Sequence, residues 1–247
     1  MTLPLIYVNS ESAIQATFSV YELFERGSGA KLNFSKCEGL LLGPWPFLSR
    51  FRSVNISWSS TKIKILGVII GHGDLSEDNW RPRLDAVSRC LNSWRSRALS
   101  LAGRALVVNA LALSRVWYVA SVIHMPEWVR SELRRTVFNF IWAGKRELVA
   151  RRVMYHPKSR SGFSVVSVDF KISALLIQWV RRLSVCPNGW VYLLKYWLPD
   201  RHGVSPLDFF ANPSIFSFSR FPPFYIDLFS SWVSAEGSSS SSGLSFG

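Results

Sequence analysis

The sequence is poor in the residues that build disulfide frameworks and zinc sites. It has three cysteines, Cys37, Cys90 and Cys186, and four histidines, all widely separated. Because no two cysteines form a CxxC pair, the pattern predicts free thiols and an intracellular protein, cytoplasmic or nuclear, rather than a secreted one. No basic leader with a small-residue cleavage site follows Met1, so no secretory signal is predicted.

Long uncharged hydrophobic runs are also missing. The most apolar stretch, Leu99–Ile123, contains Arg104, Asn109 and Arg115. An arginine near the centre of a bilayer costs about 2.5–3.5 kcal/mol on insertion scales. We therefore interpret this stretch as a buried helix of a soluble domain and predict no integral membrane segment.

The usual enzyme signatures are absent as well. The sequence has no GxSxG, HExxH or Walker A motif, and no adjacent aspartate pair of the kind that a two-metal polymerase needs. A predicted helix follows the acidic residues Asp74, Glu77 and Asp78. Acidic side chains at a helix start complement the helix dipole, and we prefer this interpretation of the three residues to a metal site. We predict no metal, no other cofactor and no small-molecule ligand in this chain.

Acidic residues are few, and the basic excess is concentrated. The 247 residues include 29 Lys and Arg against 16 Asp and Glu, a net charge of +13. Between Arg81 and Arg182 there are 19 basic and 5 acidic residues, whereas the rest has 10 basic and 11 acidic residues. A basic excess in one internal stretch predicts a binding face for an acidic partner, nucleic acid first and an anionic membrane surface second.

Hydrophobic patterning predicts an α+β fold. Residues 1–75 are predicted to form a small unit of short antiparallel strands and one helix. The helix should end at Gly27–Gly29, and its apolar stripe consists of Ala13, Ala16, Val20 and Leu23 or Phe24. Its predicted elements are strand Leu3–Val8, helix Ser12–Arg26, strand Leu40–Leu42 and strand Ile63–Ile70.

Residues 76–185 are predicted to form a helical bundle. From Asn79 onward one helix face carries Trp80, Leu84, Val87, Leu91 and Trp94. Further helices are predicted at Leu101–Ile123, Glu127–Trp142 and Asp169–Leu183, with a basic connector at Lys145–Ser161. Residues 186–235 should add short aromatic-rich helices at Trp190–Leu198, Pro206–Ala211 and Pro223–Val233. The Ser/Gly-rich residues 236–247 are expected to be disordered.

Five local sequences, taken in their order along the chain, resemble segments of one known protein family. They are GSGAKLNFSKCEGL (Gly27–Leu40), KILGVIIG (Lys64–Gly71), LNSWRSRALSLAGRALVVNALALSRVWYV (Leu91–Val119), FNFIWAGK (Phe138–Lys145) and SGFSVVSVDFKISALLIQWVRRL (Ser161–Leu183). Together they closely resemble the reverse transcriptase of non-LTR (LINE-type) retrotransposons, downstream of its catalytic aspartate box. The resemblance covers residues 3–183, and more loosely extends to 232. Ser161 departs from it, since the family usually has two glycines at Ser161-Gly162.

The resemblance implies that residues 1–75 are part of a polymerase palm. Lys36 then matches the palm lysine proposed to protonate the leaving pyrophosphate, and Leu66-Gly67 matches the primer-grip hairpin. From the residues alone, Lys36 is a solvated turn lysine, and Leu66-Gly67 lies in a core strand with a bulge.

The resemblance makes the helical portion a thumb, which holds the template–primer duplex. Contacts to phosphates need cations along one face, and the first two helices supply Arg81, Arg83, Arg95, Arg97, Arg104 and Arg115. Arg104 and Arg115 are three helical turns apart, so we expect them to share a face. The connector supplies Lys145, Arg146, Arg151, Arg152, Lys158 and Arg160, with a solvated loop as the equal alternative. Five tryptophans are interpreted as core residues rather than base-stacking platforms: Trp80, Trp94, Trp128, Trp142 and Trp179.

The resemblance implies that the catalytic aspartates of the family lie just before residues like Thr2-Leu3. It also implies that Mg²⁺ is a cofactor of the intact enzyme and not of this chain. We therefore expect a reverse-transcriptase fragment that binds template–primer duplex without catalysis. A second hypothesis is a non-enzymatic interaction or membrane-surface module, based on closely spaced phenylalanines at positions 209, 210, 216, 218, 221 and 224. A third is an unstable transposon remnant with no function.

Overall fold

The computed structural model describes residues 10–41, 56–185 and 222–240, without the side chains of 183–185 and 236–240. The predicted strand Leu3–Val8 and the predicted helices Trp190–Leu198 and Pro206–Ala211 lie outside these residues. The chain divides into two compact units, Met1–Asp78 and Asn79–Gly247.

The first unit begins with helix α1, Glu11–Ser28, as the sequence predicts. The hydroxyl of Ser10 accepts a hydrogen bond from the Ala13 N–H at 3.2 Å, which satisfies one of the free donors at the helix start. Gly29 ends the helix with φ at 70°, a left-handed conformation that costs glycine little. Local capping chemistry therefore fixes both ends of α1.

The apolar stripe of α1 does not face a core in the described residues, which corrects the expected packing. Val20 is 66% exposed, Leu23 65% and Phe24 47%, and the buried side chain is Ile14 instead. An 18-residue helix is about 27 Å long. The strands of three or four residues described in this unit have too little apolar surface to cover a helix of that length.

The described strands form two separate pairs. β1 (Glu38–Leu40) lies parallel to β2 (Ser57–Ser59), with Gly39 opposite Trp58. A Cβ atom on Gly39 would lie 2.4 Å from the Trp58 ring, so this pairing requires glycine. β3 (Lys62–Ile65) is antiparallel to β4 (Val68–Gly71). The expectation of antiparallel strands thus holds for the second pair and is wrong for the first.

A two-residue turn replaces the single strand that the pattern predicts at Ile63–Ile70. Leu66 and Gly67 have φ values of 50° and 82°, and Ile65 pairs with Val68 on either side of them. Positive φ at both central residues is the geometry of a type I′ turn, which reverses the chain with the right twist. The hairpin implied by the resemblance is therefore present, whereas the single-strand prediction is wrong.

The second unit is built from helices, with α2 beginning at the end of the first. The α-helices among its described residues are α2 (Ser76–Trp94), α3 (Leu101–Val107), α4 (Ser114–Ala120), α5 (Glu127–Ile141), α6 (Arg151–Tyr155), α7 (Val168–Val185) and α8 (Pro223–Ser240). Together with the strands, they confirm the α+β class. α8 also continues to Ser240, so the disorder expected from residue 236 is wrong for the first residues of that stretch.

The core of the second unit follows the predicted helical spacing. Trp80, Leu84, Val87 and Leu91 of α2 are each at most 3% exposed. On α5, Leu133, Val137 and Ile141, which recur at four-residue spacing, are buried as well, whereas Trp128 is half-buried. α8 packs on α7, and its apolar side chains Leu228 and Phe229 are buried. Full burial of each such side chain contributes about 1.5–3 kcal/mol.

The helix predicted at Leu101–Ile123 is interrupted by one turn of π-helix, residues Val108–Ala112. Within it, the Leu113 N–H donates to the Val108 carbonyl at 2.9 Å, five residues back. The turn presents the amide of Asn109, which donates to the Ser164 carbonyl at 2.8 Å and accepts from the Val166 N–H at 2.9 Å. Asn109 thus holds the segment that leads into α7.

An ionic network joins α5, α7 and α8. The Asp227 carboxylate lies 2.7 Å from His124 Nδ1 and 2.9 Å from Arg130 Nη2. Arg134 pairs with Asp169 at 2.8 Å and also with Glu127, whose pKa it lowers chiefly through their hydrogen bond. Two arginines of the basic stretch are therefore neutralised inside the fold.

We expect Ser161→Gly to stabilise the second unit by about 0.5–1 kcal/mol. Ser161 has φ at 58°, a left-handed conformation that strains an L side chain, and glycine is free of that strain. Urea unfolding of wild type and variant would measure the change. Ser159→Gly is the control, because Ser159 is not among the positive-φ residues of the described chain. An equal gain in the control would contradict the backbone explanation.

Candidate nucleic-acid interface

A groove of about 690 Å³ lies among α2, α5 and the segment before α6. On α2, Ser88, Leu91 and Asn92 recur at three- and four-residue spacing, so they share one helix face, and Arg95 lies in the turn directly after the helix. On α5, Glu132, Arg135, Thr136 and Asn139 do the same. The segment before α6 and its first residue close the groove with Lys145, Glu147 and Arg151.

The charged side chains of the groove differ in whether they have an ion-pair partner. Its two carboxylates both bind arginines: Glu132 lies 3.3 Å from Arg81, and Glu147 lies 2.6 Å from Arg151. Three exposed cations have no carboxylate partner among the described residues, and these are Arg95, Arg135 and Lys145. The groove therefore offers three cations from three separate segments to an anionic ligand.

Arg151 is held on two sides. Its guanidinium lies over the Phe138 ring, 4.5 Å from the centroid, and donates to both carboxylate oxygens of Glu147. These hydrogen bonds raise the pKa of Arg151 and lower that of Glu147, so both side chains are ionised at neutral pH. Stacking on an aromatic ring and bidentate pairing are interactions that arginine makes better than lysine.

Arg104, which is predicted to contact nucleic acid, is hydrogen-bonded within the fold. The half-buried guanidinium donates to the carbonyls of Phe140 and Ile141 at 3.2 and 3.3 Å, at the C-terminus of α5. Arg115 is exposed. The predicted shared face is wrong, because the intervening π-helical turn holds an extra residue and rotates the later residues by about 100°.

Arg81 and Arg83 of the first predicted set lie on α2, and Arg97 lies in the bend that follows this helix. Arg81 lies over the Trp128 ring at 4.9 Å, besides its pairing with Glu132, and Arg97 lies over the Trp94 ring at 4.3 Å. Arg83 is half-buried. Of the five tryptophans expected in the core, Trp80 is fully buried and the other four are half-buried.

The connector contains α6 and a 3₁₀ turn, Lys158–Arg160, where a loop was expected. Lys145 and Arg151 line the groove, whereas Arg146, Arg152, Lys158 and Arg160 are exposed outside it. Sequence reasoning missed Arg135. That Arg135 lines the same groove as Arg95 becomes visible only when α2 and α5 are placed side by side.

The predicted palm residues lie at exposed turns. Lys36 ends the 3₁₀ turn Phe34–Lys36, whose first free N–H, that of Ser35, is capped by the Asn33 side chain at 3.1 Å. Leu66 is 62% exposed at the tip of the hairpin. Across the described residues, no group of three or more His, Cys, Asp or Glu side chains could hold a metal ion.

The described helices also include none that is long and apolar enough to cross a membrane. Cys37 and Cys90 are free thiols, and burial raises the pKa of Cys37. Cys186 lies outside the described residues.

Comparison with known proteins gives two relatives. No protein-family model matches the chain. An uncharacterized 149 kDa protein of transposon TX1 from Xenopus laevis is 30% identical over 223 residues, which is 85% of this chain and 17% of that protein. A protein of Arabidopsis thaliana described as a ribonuclease H protein is 26% identical over 127 residues, which is 49% of this chain and 20% of that protein. The chain thus spans a fifth or less of the length of these relatives, and it is similar to a protein of a LINE-type transposon, in agreement with the resemblance that its sequence carries.

Proposed function

We propose that this chain is the part of a transposon reverse transcriptase that holds the template–primer duplex, and that the groove between α2 and α5 contacts the duplex backbone. The observation that carries the proposal is the convergence of Arg95, Arg135 and Lys145, which come from three segments and have no carboxylate partner among the described residues. Such a set favours phosphates, which are spaced regularly along a strand.

The chemistry of the groove favours binding that tolerates any sequence. Besides the cations, it offers the side chains of Ser88, Asn92, Thr136 and Asn139, which can hydrogen-bond phosphate and sugar oxygens. Its apolar floor is Leu91 and Phe138, both at most 2% exposed, so the Phe138 ring is too buried for a base to stack on it. A polymerase needs contacts that do not depend on base sequence, because it must bind templates of any sequence.

In this proposal the first unit contributes the end of the palm. Lys36 would donate a proton to leaving pyrophosphate, and the tip of the hairpin at Leu66-Gly67 would touch the primer strand. The described residues do not fit a magnesium site, so we derive no metal-dependent step for this chain. We expect the chain alone to bind duplex and not to extend a primer.

A binding titration across salt concentrations tests the proposal. An RNA–DNA hybrid of about 20 base pairs, labelled at one end, should bind with a logarithmic salt slope of about −3 if three phosphates are neutralised. A flat salt dependence would contradict phosphate contact. Binding to anionic vesicles but not to the hybrid would favour the membrane-surface alternative. Metal-dependent primer extension by this chain alone would overturn the non-catalytic part.

We expect Leu66→Asn to stabilise the hairpin by about 1 kcal/mol, because asparagine adopts positive φ far more readily than leucine and Asn-Gly is the preferred type I′ pair. If the exposed Leu66 side chain touches a primer, the same change should weaken hybrid binding by about twofold to fivefold. Thermal melting and the hybrid titration measure the two effects. Leu148→Asn, at another exposed leucine, is the control for loss of apolar surface. Unchanged hybrid binding by the Leu66 variant would remove the primer-grip role.

A further inference from the structure

Glu147 places a negative charge inside the groove that we propose to hold the duplex. Its oxygens accept hydrogen bonds from Arg151 Nη2 at 2.6 Å and Nε at 2.9 Å. A phosphate binds a guanidinium with the same two-pronged geometry. Because the same N–H groups of Arg151 serve either anion, Glu147 and a phosphate compete for them.

The pair is positioned for this competition. Phe138 is 1% exposed, and its ring fixes the guanidinium of Arg151 from one side at 4.5 Å. Glu147 precedes Arg151 by four residues, and their hydrogen bond lowers the pKa of Glu147 below its usual range, so the competing anion persists at neutral pH. Arg135 and Lys145 line the same groove and have no carboxylate partner among the described residues.

We propose that Glu147 limits how tightly the groove holds nucleic acid, so that the duplex can advance. The inference rests on the proposed function. A polymerase must move its duplex by one step after each addition, and each guanidinium–phosphate contact must then break. When a phosphate leaves Arg151, the carboxylate of Glu147 takes its place, so the guanidinium is not left without a counter-charge. Glu147 is thereby a determinant of the dissociation rate.

The experiment is a double-mutant cycle of Glu147→Gln and Arg151→Gln in the full chain. We expect Glu147→Gln to bind the 20-base-pair RNA–DNA hybrid about threefold to fivefold tighter and to dissociate more slowly. The logarithmic salt slope should steepen by about one. Arg151→Gln alone should weaken binding, because it removes a phosphate contact and leaves the Glu147 carboxylate unpaired in the groove. The effect of Glu147→Gln on affinity should therefore differ between the wild-type and the Arg151→Gln background, and equal effects in the two backgrounds would contradict the competition. Glu147→Ala is a second variant, and the thermal midpoint of each variant checks its folding.

Glu22→Gln is the matched control, since Glu22 is exposed on α1 in the other unit and the change in net charge is the same. An equal gain in this control would assign the effect to net charge and overturn the inference. If wild type binds the hybrid and both Glu147 variants match its affinity and salt slope, the inference is wrong while the proposed function stands. If wild type does not bind the hybrid, both are wrong.

Discussion

Replacing Arg95, Arg135 and Lys145 together by glutamine should weaken binding of the RNA–DNA hybrid by about a hundredfold at 0.1 M salt. Each cation that is lost leaves one phosphate with its condensed counterions. The logarithmic salt slope should therefore also become less steep, by about 2.7. The three side chains lie in one groove and have no carboxylate partner among the described residues. Their removal therefore costs little stability, and the loss would be specific to ligand binding.

A second triple variant controls for net charge. Arg26, Lys31 and Lys171 are exposed, and none of them lines the groove. Their joint replacement by glutamine removes the same three charges and should weaken binding by less than about fivefold, since exposed charges that make no direct contact with the ligand act through solvent and are screened by salt. Equal losses in the two triple variants would show that the groove has no special part in binding.

Gly162→Ala should destabilise the second unit by about 2–4 kcal/mol. A Cβ atom at this position would lie 2.0 Å from the carbonyl oxygen of His156, and backbone cannot move aside as a flexible side chain does. The same turn carries the hydrogen bonds from the N–H of Ser164 to His156 and from the N–H of Val165 to Met154, at 2.9 and 3.0 Å. Displacing it would also loosen the segment that Asn109 holds. Urea unfolding followed by circular dichroism measures the loss.

Gly103→Ala is the matched control in the same unit. A Cβ atom there would meet the Ser100 Oγ at 3.5 Å, an ordinary contact, and alanine favours the helix. We expect this variant to gain up to about 1 kcal/mol. A Gly162 variant as stable as wild type would mean that the turn relaxes without penalty, and the steric explanation would then fail.

The helices were predictable because their signal is local. In α2 and α5, apolar residues recur at three- and four-residue spacing, and the residues so identified on α2 are buried apart from Trp94, which is half-buried. Capping is equally local, since the Ser10 side chain accepts from the Ala13 N–H at the start of α1 and the Ser100 side chain accepts from the Gly103 N–H at the start of α3. The π-helical turn at Val108–Ala112 was missed, since one inserted residue in a helix leaves no local pattern. The hairpin turn was missed by the pattern because leucine is a poor candidate for positive φ.

The sequence alone determined the helical order of residues 76–185 and the confinement of the basic excess to one stretch, because both depend on neighbours along the chain. Only the tertiary structure decided which arginines remain available to a ligand. Arg104 binds carbonyls 36 and 37 residues away, and Arg130 binds Asp227 at a distance of 97 residues, so both charges serve the fold. Arg95, Arg135 and Lys145 converge because α2, α5 and the following segment pack together. A charge pattern along the chain counts cations, whereas the partner of each cation depends on contacts between residues far apart in sequence.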